Sequence, residues 1–177
     1  MSIFEWLGLS EPAENAAEPD RTETVRKIVD ELDHLEPERA RFVAAFAYIL
    51  SRAAQADMKI SDDETHAMEQ IVVEHGKLPP EQALIVVQMA KTQSLLFGGT
   101  ENYLVTREMN RLASRDEKLA LIDCMFAVSA ADESISTVED NVIRQVAAEL
   151  RLDHREFIAV RAGYRDRLAV LQPPEAP

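Results

Sequence analysis

Apolar side chains recur along this chain at intervals of three and four residues. Val25, Ile28, Val29 and Leu32 make one stripe, and Phe42, Phe46, Ile49, Leu50 and Ala53 a second. Met68, Ile71 and Val72 follow, then Leu84 and Val87, then Leu119, Ile122, Met125 and Phe126. Such spacing puts each set on one face of an α-helix, and the two-residue alternation of a half-buried strand is missing throughout. Five segments carry a cap residue followed three positions later by Glu: Asp20–Glu23, Ser61–Glu64, Ser114–Glu117, Ser136–Glu139 and Asp153–Glu156. In such a box the first side chain accepts from an orphan amide of the opening turn, while the Glu reaches back to the cap's own amide. Two further starts are marked by proline, at Pro37 and at Pro79-Pro80, where a missing amide is harmless. With 5 glycines, two of them paired at Gly98-Gly99, the pattern predicts an all-α bundle of seven or eight helices. A short fourth helix is expected to end near Phe97-Gly98-Gly99-Thr100, with the fifth starting near Thr100.

The organisation outside the helices is simple. Residues 1–20 read as a short apolar N-terminal segment followed by a flexible acidic linker, because Ser10 to Asp20 holds no apolar side chain larger than alanine. Residues 172–177 carry three of the eight prolines and read as a disordered tail. The helical domain is therefore expected over 21–171. Ile3, Phe4, Trp6, Leu7 and Leu9 concentrate the single tryptophan in the first nine residues. They read either as a docking peptide for a partner groove or as a segment that folds back on its own domain. A bilayer surface is the weaker target, since no Lys or Arg precedes Arg21 and Glu5 is present.

Charge narrows the function classes. Asp and Glu number 32 against 19 Lys and Arg, a formal net charge of −13, which repels phosphate backbones and anionic headgroups. Nucleic-acid binding is not expected. One cysteine, Cys124, rules out an intramolecular disulfide framework and a Cys-rich zinc site, and fits a reducing cytoplasm. No apolar run approaches the roughly 18 residues that a membrane helix needs, and the N-terminus lacks the basic region of a secretory signal.

The chain also resembles itself. At an offset of 75, Ala56-Asp57-Met58-Lys59-Ile60-Ser61-Asp62-Asp63-Glu64 aligns with Ala131-Asp132-Glu133-Ser134-Ile135-Ser136-Thr137-Val138-Glu139. Gln70 then matches Gln145 and Glu74 matches Glu149, so that 7 of the 19 positions from 56 to 74 are identical. Chance gives one or two, which points to a duplicated unit of helix, Asp-containing corner and capped second helix. Two such units are expected to bury their apolar faces on each other as a pseudo-twofold bundle.

The repeated Ala-Asp-x-x-Ile-Ser-x-x-Glu signature, behind an alanine-rich helix in an acidic all-helical chain, resembles the TerB-like family. That family takes in bacterial tellurite-resistance TerB proteins and the N-terminal domain of DjlA-type membrane co-chaperones. The resemblance covers roughly residues 25 to 170. The family usually has Gly after each Asp, where this chain has Met58 and Glu133. Glycine allows a left-handed turn at no steric cost, so the two corners depart from the family there.

Candidate chemistry gathers at these corners. Hard cations such as Ca2+ prefer several oxygen ligands, and a pseudo-dyad brings Asp57, Glu64, Asp132 and Glu139 forward as a divalent-cation site. The resemblance implies the same, since TerB-like proteins are thought to bind divalent metal through clustered acidic residues. The alternative is that Glu64 and Glu139 are capping partners while Asp57 and Asp132 accept corner amides, which leaves less capacity for a metal. An EF-hand is excluded, because the twelfth positions counted from Asp57 and Asp132 are Met68 and Ile143 in place of Glu. His34, His66, His75 and His154 stand at no zinc spacing and read as surface or capping residues. Cys124 reads as a small buried hydrophobe. Asp123, inside an apolar stretch, reads either as exposed or as partly buried near Arg52 or Arg144. Gly98-Gly99 is followed by no Lys-Ser or Lys-Thr and makes no phosphate loop.

The function expected from all this is a non-enzymatic, cytoplasmic interaction module. By the resemblance it belongs to a bacterial stress response of the tellurite-resistance type, with protein partners that include Ter-type proteins at the inner face of the cytoplasmic membrane. A metal-free, co-chaperone-like binding module is the first alternative. A metal-dependent hydrolase is the second, disfavoured because such sites generally mix His with carboxylates and no His-Asp dipeptide occurs in the sequence, where His34 follows Asp33 in the opposite order.

Overall fold

A computed structural model describes residues 19–53, 62–92, 102–131 and 134–171. Among them eight α-helices follow one another: α1 (Pro19–Asp33), α2 (Pro37–Ala53), α3 (Asp62–Glu74), α4 (Pro80–Lys91), α5 (Asn102–Leu112), α6 (Arg115–Ala130), α7 (Thr137–Glu149) and α8 (His154–Ala162). Two short 3-10 turns, Arg165–Arg167 and Ala169–Leu171, close the described chain. No strand occurs among the described residues, and one isolated parallel bridge joins Ile135 to Leu168. The chain is all-α, as the spacing of its apolar residues predicts.

The helix starts follow local chemistry. Ser114, Ser136 and Asp153 cap α6, α7 and α8, each accepting from the amide of the Glu three residues on, while that Glu accepts from the cap's own amide. At α2 the carboxylate of Glu36 takes the amides of Glu38 and Arg39 at 3.1 and 3.2 Å, and Pro37 supplies the first helical residue. Helix α1 begins at Pro19, one residue before its expected cap Asp20, since proline's fixed φ suits an opening turn. Helix α5 begins at Asn102, two residues beyond Thr100. The Ser61 cap, the Gly98-Gly99 turn, the N-terminal segment with most of its linker and the Pro-rich tail lie outside the described residues.

Helix α2 occupies the centre. From Phe42 to Ser51 every side chain is buried, as an almost uninterrupted apolar helix must be. It packs against α1, α4, α5, α6 and α7. Helix α6 is the second core element, with Leu121, Ile122, Met125 and Phe126 fully buried against α2, α3, α7 and α8. Leu84 departs from expectation and is 46% exposed. The apolar face of α4 runs instead through Ala83, Val86, Val87 and Ala90, which leaves Leu84 off the stripe.

The packing is reciprocal. Helix α2 rests on α7, and α6 rests on α3; α2 also packs on α4, and α6 on α8. After α3 and after α7 the backbone leaves the helix through a non-glycine residue with positive φ, Lys77 at 57° and Arg151 at 60°. Each is followed by a buried leucine, Leu78 or Leu152.

Candidate functional site: the corners and a histidine cluster

Of the four candidate cation ligands, Asp57 and Asp132 lie outside the described residues. Glu64 falls in the first turn of α3, with its side chain likewise outside the described set. Glu139 is described fully. Its Oε2 accepts the Ser136 amide at 2.8 Å, and its own amide donates to Ser136 Oγ at 3.2 Å. In the second corner, therefore, the Glu acts as a capping partner, and one carboxylate oxygen is left for any further ligand. Among the described residues no group of three or more His, Cys, Asp or Glu side chains is arranged to hold a metal ion.

The second corner is pinned from behind. Ile135, the isoleucine of the signature, donates its amide to the Arg167 carbonyl at 2.7 Å and accepts from the Ala169 amide at 2.9 Å. Its side chain and that of Leu168 are both buried. The segment after α8 thus fixes the corner that leads into α7. In the last turn of α6, three positions before Asp132 in the sequence, the Ser129 hydroxyl is buried and has no hydrogen-bond partner among the described residues.

Asp123 corrects two expectations at once. It turns neither to Arg52 nor to Arg144, and it is not simply exposed, because it meets His75 and Tyr164. His75 Nδ1 lies 2.8 Å from Asp123 Oδ2, and the Tyr164 hydroxyl donates to Asp123 Oδ1 at 2.8 Å with the Asp123 carbonyl 3.1 Å away. His75 is accordingly more than a surface or capping residue: it joins the end of α3 to α6. Tyr164 stacks on Phe126 with ring centroids 5.3 Å apart. Burial and the neighbouring Asp123 carboxylate push the Tyr164 hydroxyl well above its ordinary value, so it stays protonated and donating.

Arg52 and Arg144 find other acids. Arg52 forms a forked pair with Glu149 at the end of α7, at 2.6 and 3.1 Å. Burial acts to raise the Glu149 carboxyl, and the Arg52 guanidinium more than offsets it, holding the group below its ordinary value. Arg144 lies over the Phe157 ring, and its neighbour Asp140, which is buried, is bonded at both oxygens by Arg161 at 2.8 Å. Two bridges thus cross the bundle in opposite senses, Arg52 of α2 to the end of α7 and Asp123 of α6 to the end of α3.

Cys124 is buried, as expected, and burial with the adjacent Asp123 charge pushes its thiol far up, which removes it as a nucleophile. A shallow cleft of about 300 Å³ lies along α3, lined by His66, Glu69, Gln70, Val73, Glu74 and Pro80. No helix among the described residues is long and apolar enough to cross a membrane.

The family model for the tellurite resistance protein TerB matches residues 42–162, from the start of the buried run of α2 to the last residue of α8. The chain belongs to the TerB family. The matched region takes in both Asp corners, the crossed bridges and the His75–Asp123 contact of this TerB-family chain. No curated protein and no solved structure matches it significantly.

What sequence reasoning missed is the role of Tyr164 and of His75. Asp123 gave the one available signal, a lone carboxylate in an apolar stretch, yet its partners lie 48 and 41 residues away and no spacing rule connects them.

Proposed function

We propose that this TerB-family chain is a non-enzymatic interaction module of a tellurite-resistance-type stress response, acting in the cytoplasm through protein partners. Some of those partners sit at the inner face of the cytoplasmic membrane. The observation that carries the reading is the family match over 42–162, which spans both copies of the Asp corner. The net charge of −13 favours partners with basic surfaces and disfavours nucleic acid.

The finer reading gives the module a divalent cation, Ca2+ or a similar hard ion, at Asp57, Glu64, Asp132 and Glu139. Three features support it. The reciprocal packing of α2 on α7 and α6 on α3, with Lys77 and Arg151 at matching turns, is the arrangement a duplicated unit would take. Glu139 retains one oxygen, which suits monodentate ligation and not the bidentate ligation of an EF-hand Glu. The Ser129 hydroxyl, three positions before Asp132 in the sequence, is buried with no hydrogen-bond partner among the described residues, which leaves an oxygen unaccounted for at the end of α6.

One observation favours the metal-free alternative. Glu139 is already occupied as a helix cap, so the corner has a structural purpose without any ion.

The test is direct binding of the full chain to a purified Ter-type protein, with and without Ca2+, beside the Asp57→Asn/Asp132→Asn double variant. Binding that needs Ca2+ and is lost in a folded double variant supports the cation-linked module. Binding indifferent to both selects the metal-free module. Mutation-sensitive turnover of phosphoesters with Mn2+ would overturn the non-enzymatic reading.

A further inference from the structure

Helices α3 and α7 align in sequence at the offset of 75, and they bury matching positions, Thr65, Met68 and Val72 in one and Asp140, Ile143 and Ala147 in the other. Gln70 and Glu74 are identical to Gln145 and Glu149. In α7 that Gln-Glu pair, one turn apart, holds an arginine. Glu149 takes the Arg52 guanidinium in a fork at 2.6 and 3.1 Å, and the Gln145 amide donates to Glu149 Oε1 at 2.9 Å. In α3 the same pair has no arginine. The position equivalent to Arg52 is Ala127, on α6, which packs against α3. Lys77 turns its ammonium to the Glu74 backbone carbonyl, and neither the Glu74 carboxylate nor the Gln70 side chain has a partner among the described residues. Both residues line the cleft of about 300 Å³, beside His66, Glu69, Val73 and Pro80. That volume stands at the lower end of ligand clefts and suits one long side chain.

We propose that the α3 cleft receives an arginine side chain of a protein partner, with Glu74 as its acceptor; the inference rests on the interaction-module reading above. The methylene stem of the arginine lies on Val73 and Pro80, and its guanidinium forks onto the Glu74 carboxylate as Arg52 does onto Glu149. Glu69 adds a second negative charge to the same cleft, and its only partner is the exposed His66, 3.3 Å away. Lysine is a weaker occupant, because a point charge does not match a carboxylate at both oxygens. The arginine comes from another molecule: residues 1–18, 54–61, 93–101, 132–133 and 172–177, the segments outside the described residues, contain none. A second copy of this chain, itself of net charge −13, is repelled, whereas a basic partner is attracted.

The experiment titrates the isotope-labelled full chain with N-acetyl-arginine amide, N-acetyl-lysine amide and the neutral isostere N-acetyl-citrulline amide, and follows the backbone amides by NMR. Arginine amide is expected to give saturable shifts clustered at His66–Glu74 and Glu81, with an affinity about threefold or more above that of lysine amide. Citrulline amide should leave those signals in place. Glu74→Gln should weaken arginine binding about threefold or more, as loss of a partly exposed ion pair does. Glu149→Gln removes the same charge from the equivalent place in α7 and should leave binding unchanged. Shifts spread over the acidic surface, equal affinity for the arginine and citrulline amides, or undiminished binding by a folded Glu74→Gln variant would each overturn the proposal. No Ter-type protein enters the titration, so its failure strikes the cleft alone, while failure of the partner-binding test above strikes the module.

Discussion

Replacing Asp123 with alanine removes a group that joins the end of α3, α6 and the segment after α8. Two contacts disappear, His75 to Oδ2 and Tyr164 to Oδ1, each 2.8 Å long. A hydrogen bond to a charged group contributes roughly 1.5–3 kcal/mol when shielded from water. The Asp123 and His75 side chains are 35% and 36% exposed, so each contact is discounted to about 1 kcal/mol. The expected loss is about 2 kcal/mol, or ~4–8 °C in Tm at ~2–4 °C per kcal/mol for a chain of this size. Asp123→Asn should lose less, because its amide oxygen still accepts from Tyr164 while its nitrogen faces a ring that accepts in the other tautomer. Tyr164→Phe keeps the stack on Phe126 and isolates the hydroxyl; the double variant with Asp123→Ala should show a coupling of about 1 kcal/mol. Urea unfolding followed by circular dichroism measures all of these. An Asp123→Ala variant within about 0.5 kcal/mol of the wild type would refute the cluster as a structural tie.

Other outcomes follow from single contacts. Ser136→Ala should destabilise by about 1 kcal/mol in urea titration, because α7 loses the cap that orders the second corner. Gly76→Ala should cost about 2 kcal/mol or more in thermal unfolding, since a Cβ there would meet the Val72 carbonyl oxygen at 2.5 Å and Phe46 at 2.9 Å. Glu149→Gln should be less stable than the wild type at neutral pH. The carboxyl is held below its ordinary 4.5, so the gap stays full above that pH and closes as the pH falls through the lowered folded value. Parallel urea titrations from pH 7 to pH 3 read that closure, and a gap that widens with acid would contradict the Arg52 assignment.

Local signals in the sequence were complete enough to place most helices. Ser114, Ser136 and Asp153 each carry a Glu three residues on, and all three boxes form, because both halves of the motif lie within one turn. Pro37 and Pro80 open helices for the same local reason. Where the expectation slipped, tertiary context decided. Leu84 has helical spacing from Val87 but lies off the face that α2 and α3 cover. The left-handed turns at Lys77 and Arg151 were invisible, since neither residue is the glycine or asparagine that advertises such a turn. The site was legible only as a repeated string. Glu139 keeps its capping role, while the crossed bridges from Arg52 and Asp123 join residues far apart in sequence, which no local periodicity can encode.

The central claim is that the repeated corners are a ligand site of an interaction module. Its most direct test is isothermal titration of the metal-free chain with Ca2+, Mg2+, Mn2+ and Zn2+, repeated on Asp57→Asn/Asp132→Asn. The account predicts saturable binding of a hard cation by the wild type that vanishes in a double variant of unchanged helical content. Heats no larger than those of any acidic surface, equal in both proteins, would contradict it and reduce the corners to helix caps.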